Sequence, residues 1–146
     1  MPPEKSWTIK SRNEFAYVRK QCALFACHFG CPHKREVELS IAITELLTNA
    51  LKFGTKAHLT IQYLESPRRC LQITVADNGP GFDNVELALQ DGYSEGRFLS
   101  EDDAIRDRHG LGYGLGAVKR LTDQMSICNA SEGGARATIW KWLPDR

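Results

Sequence analysis

The sequence predicts an α+β fold of two layers, in which helices cover one face of a mostly antiparallel, mixed sheet. Two long stretches carry apolar residues every three or four positions, which is typical of amphipathic helices. Several other stretches are rich in β-branched and aliphatic residues and are bounded by turn residues, which indicates strands. Because helices and strands do not alternate as regular βαβ units, their order favours one helical layer packed on one sheet.

The chain is predicted to open with a short strand and a helix. Trp7 and Ile9 lie in the strand, and the pattern Ser-x-x-Glu at residues 11–14 is the signature of a helix start. Apolar residues then recur with helical spacing until Gly30. The first helix is therefore expected to end at Gly30, because glycine readily closes a helix.

A second helix and a hairpin are expected next. The helix begins near Pro32 and ends at about Phe53, with Gly54 as its stop signal. Residues 57–64 and 69–76 are rich in strand-forming side chains, and the Ser-Pro-Arg between them supplies a turn. The second strand of this hairpin leads directly to an aspartate at its end.

The second half of the chain is predicted to contain a short helix, a lid, a third helix and a final hairpin. An aspartate cap opens the short helix over residues 83–90, and the charged stretch of about 91–109 is interpreted as a mobile lid. The third helix should begin just after a run of alternating glycines. Strands at 124–130 and 135–143 flank a Gly-Gly turn at residues 133–134.

Length and composition predict one globular domain over residues 1–146. The chain has 146 residues, of which 42% are hydrophobic, and this is enough to form a core. Its net charge of +1 provides no broad field to attract nucleic acid or membrane, so neither is expected as a partner. No apolar run approaches the roughly 20 residues that cross a bilayer, and the N-terminus lacks the apolar segment of a signal peptide, so the expected location is the cytoplasm.

A cluster of Cys22, Cys27, His28, Cys31 and His33 invites a zinc interpretation, because thiolates and imidazoles are zinc ligands. The paired Cys-x-x-Cys spacing of structural zinc sites is missing, however. An odd total of five cysteines also argues for reduced thiols rather than a disulfide framework. Small buried helix residues are therefore the favoured interpretation, with the metal site left as the alternative.

Two polar residues of the second helix are candidates for chemistry. Glu45 and Asn49 are four positions apart, so they lie over one another on the same helical face and can address one small object. An amide oxygen is a plausible ligand for Mg²⁺, and a carboxylate one turn away can accept a proton. Taken alone, this spacing is also that of an ordinary solvated helix edge.

The sequence Asp-Asn-Gly-Pro-Gly at residues 77–81 is either a turn or part of a binding site. Asn-Gly and Pro-Gly are strong turn dipeptides. Asp77, however, ends a strand whose inward face is aliphatic, so its carboxylate needs a donor, which an adenine amino group could supply. Gly79 and Gly81 would let the backbone pass close to a flat base.

Gly110, Gly112, Gly114 and Gly116 alternate along one short segment. They also satisfy a Gly-x-Gly-x-x-Ala dinucleotide pattern, but that fingerprint requires a preceding strand, and here a charged stretch precedes it. A Walker loop is excluded because Gly-Lys-Ser/Thr is absent. The remaining interpretation is that backbone amides at a helix N-terminus, exposed by glycine, bind phosphate.

In this order the three motifs resemble those of the GHKL ATPases, which share the Bergerat fold and include gyrase, Hsp90-type chaperones, histidine kinases and mismatch-repair proteins. The resemblance covers nearly the whole chain. Two stretches, residues 42–54 and residues 86–94 followed by 114–121, resemble the bacterial serine protein kinases that control sigma factors and the stressosome. The second stretch is especially similar to the switch kinase of the stressosome. The stretch between residues 94 and 110 is longer and more charged than in those kinases.

The resemblance implies a role for each motif residue. Asn49 would hold Mg²⁺, Glu45 would be the general base, and Asp77 would bind the adenine amino group of ATP. Other residues would contact the base or the phosphates. These are Gly79 and Gly81 beside the base, Gly110, Gly112, Gly114 and Gly116 around the phosphates, and Thr138 behind the adenine on a late strand.

The same resemblance implies an ATP- and Mg²⁺-dependent serine/threonine protein kinase. Its substrate would be a STAS-domain antagonist protein, in a partner-switching system that controls transcription or stress signalling. A metal-dependent serine phosphatase or a sigma factor would be a second partner, and a homodimer is left open. Two alternatives remain, namely an ATP-dependent binding module with little kinase activity and the ATP-binding domain of a histidine kinase.

Overall fold

The computed structural model describes residues 1–81, 93–94, 97–98, 114–131 and 133–145, with only the backbone described at 93–94, 97–98 and 114. Its strands are β1 (Glu4–Ile9), β2 (Ala57–Leu64), β3 (Cys70–Asp77), β4 (Tyr93–Ser94), β5 (Arg97–Phe98), β6 (Gln124–Asn129) and β7 (Ala135–Trp142). Its helices are α1 (Phe15–His28), which follows a short 3-10 helix at Arg12–Glu14, then α2 (His33–Phe53) and α3 (Gly114–Leu121).

Five of the strands form one sheet in the order β1-β2-β3-β7-β6, and the three helices described above cover one of its faces. The predicted α+β class with two layers is therefore confirmed. The sheet was expected to be mixed, but each of its four strand pairings is antiparallel. The predicted helix over 83–90 lies outside the described residues, as does the predicted lid apart from the antiparallel pair of β4 and β5.

The core lies between the helices and the inner face of the sheet. Leu59, Ile61, Ile73 and Ile139 alternate with polar residues along their strands and are fully buried. They pack against an apolar stripe of α2 that includes Leu47. Because burial of each such side chain contributes about 1.5–3 kcal/mol, this alternation fixes which face of each strand meets the helices.

The opposite face of the sheet carries polar cross-strand pairs. Thr60 of β2 and Ser6 of β1 are paired across the strands, and their hydroxyl oxygens lie 2.9 Å apart. Thr74 of β3 and Thr138 of β7 are likewise paired, with hydroxyl oxygens 3.3 Å apart. Cross-strand pairs of this kind stabilise a sheet at a face that does not pack against apolar groups.

The ends of the first two helices follow the sequence signals. Gly30 has φ of +84°, a conformation that suits glycine, and it lies two residues after the last residue of α1. α2 begins after Pro32 and ends at Phe53 as expected. Gly54 differs from a usual helix-closing glycine because its φ of −115° and ψ of 176° are those of extended backbone.

Helix α3 is anchored at its C-terminal end by a buried lysine. The Nζ of Lys141 on β7 donates to the carbonyl oxygen of Leu121 at 2.5 Å and pairs with the carboxylate of Glu38 on α2 at 3.2 Å. Lys141 is only 6% exposed. A cation at this position satisfies carbonyls that a helix end leaves without partners, and it ties α3 to both the sheet and α2.

The five cysteines divide into two environments. Cys22, Cys31 and Cys70 are buried, whereas Cys27 and Cys128 are exposed. Burial raises the pKa of Cys22 to about 12 and also raises the pKa values of Cys31 and Cys70. Within the described part of the chain, no group of three His, Cys, Asp or Glu side chains is placed to hold a metal ion.

We expect a brief treatment of the native protein with iodoacetamide near neutral pH to modify only Cys27 and Cys128. The thiolate is the reactive form, and burial keeps Cys22 as a thiol and shields all three buried sulfurs. Peptide mass spectrometry measures the modified sites, with the urea-denatured chain as the control in which all five react. Rapid modification of Cys22 in the folded protein would contradict this packing.

The turn between β6 and β7 contacts the end of β3 through a glycine. Gly133 and Gly134 have φ of +100° and +85°. A Cβ on Gly133 would meet no atom within 4 Å, whereas a Cβ on Gly134 would collide with the backbone carbonyl of Asp77. The two neighbouring glycines share their backbone conformation but differ in their surroundings.

This pair allows a matched test of the contact. Gly133→Ala should lower the free energy of unfolding by about 1 kcal/mol, the cost of a side chain at positive φ. Gly134→Ala should lower it by about 1–3 kcal/mol more, because the new methyl group also displaces backbone of β3. Urea denaturation of both variants measures the difference. Equal decreases in the free energy of unfolding would show that Gly134 is not in close contact with Asp77.

Candidate functional site

Helix α2 carries a carboxylate and an amide on one face. Glu45 is 4% exposed and is one of only three buried polar or charged side chains among the described residues. Asn49, one turn later, is half-buried. The structure therefore brings these two residues onto the stripe that their spacing predicts, with the carboxylate inside the protein rather than at a solvated edge.

Asp77, at the end of β3, is held by two backbone amides. Its Oδ1 accepts a hydrogen bond from the N–H of Gly79 at 2.8 Å and another from the N–H of Ala135 at 3.2 Å. Within the described part of the chain, both hydrogen bonds of Asp77 use Oδ1. The orientation of the carboxylate is thus fixed by the fold, and Oδ2 can accept a hydrogen bond from a ligand.

The residue after Asp77 connects this loop to the end of α2. The Oδ1 of Asn78 accepts hydrogen bonds from the N–H groups of Thr55 and Lys56 at 2.8 and 3.2 Å, and its Nδ2 donates to the hydroxyl of Thr55 at 2.7 Å. This close approach explains the glycine at position 54, since a Cβ there would lie 2.7 Å from the Oδ1 of Asn78. The two segments that carry Asn49 and Asp77 are therefore connected directly.

Gly79 and Gly81 are required by neighbouring protein atoms. A Cβ on Gly79 would lie 2.7 Å from the carbonyl oxygen of Phe53, and one on Gly81 would lie 2.6 Å from the Oδ1 of Asn129. The sequence suggested that these glycines make room for a flat base. In the structure, the space that a side chain would need is already filled by the end of α2 and by β6.

A narrow crevice opens between α2, β3, α3 and β7. It has two polar residues, Asn49 and Asp77, and its other walls are apolar. Its volume of about 10 Å³ leaves room for about one water molecule. The apolar residues that line it are Leu46, Ala50, Val75, Leu115, Ala135 and Ala137. Apolar walls with a few convergent polar groups are the usual character of a small-molecule site.

Thr138 does not line this crevice, which corrects its expected position behind a base. Ala135, Ala137 and Ile139 are buried on the inner face of β7, so Thr138 points to the outer face, where it pairs with Thr74. The strand residues that do line the crevice are Ala135 and Ala137. In the sequence, residues of one strand face point the same way at every second position, so counting along residues 135–143 places Thr138 on the face opposite Ala135 and Ala137.

The glycine run is partly described. Gly110 and Gly112 lie outside the described residues, while Gly114 is the first residue of α3 and Gly116 is buried in its first turn. The third helix was expected after the run, but it begins inside it. Leu115 of the same turn lines the crevice, so the free amides of this helix N-terminus lie beside the site.

Comparison with known proteins gives a family and several relatives. A profile of the family described as "Histidine kinase-, DNA gyrase B-, and HSP90-like ATPase" matches residues 34–146. Serine/threonine-protein kinase RsbT of Bacillus subtilis is 29% identical over 109 residues, which are 74% of this chain and 73% of that protein. Adaptive-response sensory kinase SasA of Synechocystis sp. is 37% identical over 75 residues, which are 50% of this chain and 18% of that kinase.

A solved structure shares the fold. The crystal structure of full-length ShkA in complex with AMPPNP superposes with a TM-score of 0.51 at 17% identity, over 92% of this chain and 30% of ShkA. The chain thus spans less than a third of both ShkA and SasA. Among the described residues, no helix combines the length and apolar character needed to cross a membrane.

The family match extends over most of the chain and includes the helix, the strand end and the later helix that surround the crevice. The ATPase description of this family supports binding of ATP. The similarity to RsbT supports a serine/threonine kinase of this type. The chain belongs to the family of histidine kinase-, DNA gyrase B- and HSP90-like ATPases, the GHKL superfamily, and within it is similar to RsbT.

Proposed function

We propose that the protein is an ATP- and Mg²⁺-dependent serine/threonine protein kinase that acts in the cytoplasm. The observation that carries this proposal is the arrangement of Asn49 and Asp77 in one apolar crevice, beside the N-terminus of α3, with Glu45 buried one turn from Asn49. Phosphoryl transfer requires mainly positioning and charge neutralisation, and these groups can supply both.

The adenine of ATP would lie between the apolar walls of the crevice. Its amino group would donate to the Oδ2 of Asp77, whose other oxygen is already held by backbone amides. The alanines at 135 and 137 leave the β7 wall flat enough for a ring to lie against it.

The phosphates would lie at the N-terminus of α3. The backbone amides of its first turn have no partners within the helix and attract negative charge. Gly114 and Gly116 keep this turn free of side chains that would block an approach. We include Gly110 and Gly112 in the phosphate site as part of the proposal.

Mg²⁺ suits the oxygen donors beside the crevice. It commonly takes one or two protein oxygens and completes its octahedron with water and phosphate, and the amide oxygen of Asn49 would be the protein ligand. When bound, the ion would neutralise charge on the transferred phosphoryl group. Glu45, one turn away on the same helix, would take part in acid–base chemistry.

In the transfer step Glu45 would act as the general base. Its carboxylate takes the proton from the substrate serine hydroxyl as the serine oxygen forms a bond to the γ-phosphorus. The bond between the γ-phosphorus and the bridging oxygen breaks, and ADP leaves with that electron pair. Burial of Glu45 limits competing solvent at the reacting oxygen.

The resemblance described above implies a STAS-domain antagonist protein as the substrate, and the similarity to RsbT supports such a partner at a coarse level. We propose that phosphorylation of this antagonist switches partners in the control of transcription or stress signalling. A metal-dependent phosphatase or a sigma factor would be the second partner. Capture of partners with ATP and Mg²⁺, followed by mass spectrometry for phosphoserine, would identify the substrate.

A histidine-kinase type of ATP-binding domain is the second candidate, because the chain is similar to part of SasA. The chemical stability of the product separates the two. Phosphoserine survives acid and is lost in alkali, whereas phosphohistidine is lost in acid. An acid-labile, alkali-stable label on a captured protein would favour the second candidate.

Asp77→Asn should weaken ATP binding about 5- to 150-fold, equivalent to about 1–3 kcal/mol. Asparagine keeps an Oδ1 that can accept from Gly79 and Ala135, but its amide nitrogen cannot accept from the adenine amino group. Calorimetric titration with ATP and Mg²⁺ measures the change, with Asp145→Asn as a control at an exposed carboxylate away from the crevice. Equal affinity of wild type and Asp77→Asn would remove this residue from the site.

Glu45→Gln should abolish phosphate transfer while leaving ATP binding close to wild type. Loss of a general base typically costs about 10²- to 10⁴-fold in rate. Transfer of labelled phosphate to the captured substrate measures the effect, and Glu36→Gln provides the same change on the first turn of α2. Unchanged transfer by Glu45→Gln would refute the assignment of Glu45 as the base. If the wild type binds its partner but transfers no phosphate to it, the binding-module alternative is favoured.

A further inference from the structure

The C-terminal end of α3 and the residues after it are bonded to three consecutive residues of β7. The Nζ of Lys141 donates to the carbonyl oxygen of Leu121, the last residue of the helix, at 2.5 Å. Its two neighbours in the strand hold Asp123. The carbonyl oxygen of Trp140 accepts from the N–H of Asp123 at 3.0 Å, and the N–H of Trp142 donates to the Oδ2 of Asp123 at 2.7 Å. This end of α3 is therefore fixed to the sheet.

Lys141 also joins this end of α3 to the helix that carries the proposed general base. Its Nζ lies 3.2 Å from the Oε1 of Glu38 on α2. Glu38 precedes Glu45 by seven residues and Asn49 by eleven. At about 3.6 residues per turn, these separations are close to two and three whole turns. Glu38 therefore lies on the same stripe of α2 as Glu45 and Asn49.

Helix α3 thus meets α2 at both of its ends. Near its start, Leu115 lines the crevice together with Asn49. Its last residue, Leu121, is joined to Glu38 through Lys141. Because Glu38 precedes Asn49 in the chain, the two helices run in opposite directions. The eight residues of α3 span about 12 Å, and so short a helix transmits a displacement of one end to the other.

The charge of Lys141 matches the polarity of α3. The last carbonyls of a helix have no partners within it, and a cation beside them is favoured by the helix dipole. In the proposed function the phosphates lie at the opposite end, where the same dipole favours negative charge. Lys141 is buried, so solvent and salt screen its interaction with the helix end only weakly.

We propose that Lys141, together with Glu38, positions α3 so that the backbone amides of its first turn face the phosphates of ATP. The inference rests on the proposed kinase function, and it gives both residues a positioning role without contact to the nucleotide. Asp77, which would hold the adenine amino group, is fixed by different contacts, namely the amides of Gly79 and Ala135. Loss of the contact to Lys141 therefore weakens binding of the phosphates and spares binding of the adenine.

The test compares the affinity for ATP with Mg²⁺, measured by calorimetric titration, with the affinity for adenosine, measured by ligand-observed NMR titration. The variant is Lys141→Met, and the control Lys119→Met removes the same charge from an exposed position in the last turn of α3. We expect Lys141→Met to bind ATP about tenfold more weakly than the control, and adenosine within about twofold of it. A loss confined to ATP is not the result of a general loss of structure.

A milder variant keeps the inference testable if Lys141→Met does not fold, which circular dichroism and urea denaturation would reveal. Glu38→Gln retains the shape of the side chain and removes only its charge, and Glu36→Gln is the matched control on the first turn of α2. Glu38→Gln should bind ATP about threefold more weakly than this control, with adenosine affinity unchanged.

Unchanged ATP affinity in a folded Lys141→Met variant, or in Glu38→Gln where the first variant does not fold, would overturn the inference. It would leave the proposed function intact, because wild type would still bind ATP. Equal losses of ATP and adenosine affinity would also overturn it, since they would show that the contact supports the whole site. Failure of wild type to bind ATP would refute the proposed function and this inference with it.

Discussion

The site depends on one carboxylate oxygen. The Oδ1 of Asp77 accepts from the amides of Gly79 and Ala135, so it joins the end of β3, the loop after it and the start of β7. Hydrogen bonds to a charged acceptor contribute about 1.5–3 kcal/mol each, which is large for a loop of this size. Because these two bonds fix the carboxylate, its second oxygen has a defined direction before any ligand is present.

The packing around Asp77 explains why small residues surround it. Gly134 must approach the carbonyl of Asp77, and Gly79 must approach the end of α2, so neither tolerates a side chain. Alanines at positions 135 and 137 then leave space along β7 beside α2. Asn78 connects the same loop to the residues after α2. These contacts therefore fix the position of the helix that carries Glu45 and Asn49 relative to the strand that ends at Asp77.

Much of the fold could be predicted from local sequence patterns. Pro32 and Gly54 bound α2 correctly, and the alternation in residues 57–64 and 135–143 gave strands close to those observed. The face of Thr138 was missed because the residue was matched to a family pattern rather than counted along its strand, where a shift of one position reverses the face. Ala135 and Ala137 are both buried, and this places Thr138, which lies between Ala137 and Ile139, on the outer face of the sheet.

The reasons for the glycines could not be predicted in the same way. Gly79 and Gly81 contact residues distant in sequence, namely Phe53 and Asn129, and such contacts exist only once the chain has folded. The start of α3 inside the glycine run has a similar origin, because burial of Leu115 and Val118 against the core outweighs the poor helix propensity of glycine.

We propose that α2, the end of β3 and the start of α3 enclose one ATP. A crystal structure with Mg²⁺ and a nonhydrolysable ATP analogue tests it most directly. We expect the purine between α2 and β7, its amino group about 3 Å from the Oδ2 of Asp77, and the metal on the amide oxygen of Asn49. A purine bound on the outer face of the sheet, or a metal held by other residues, would contradict it.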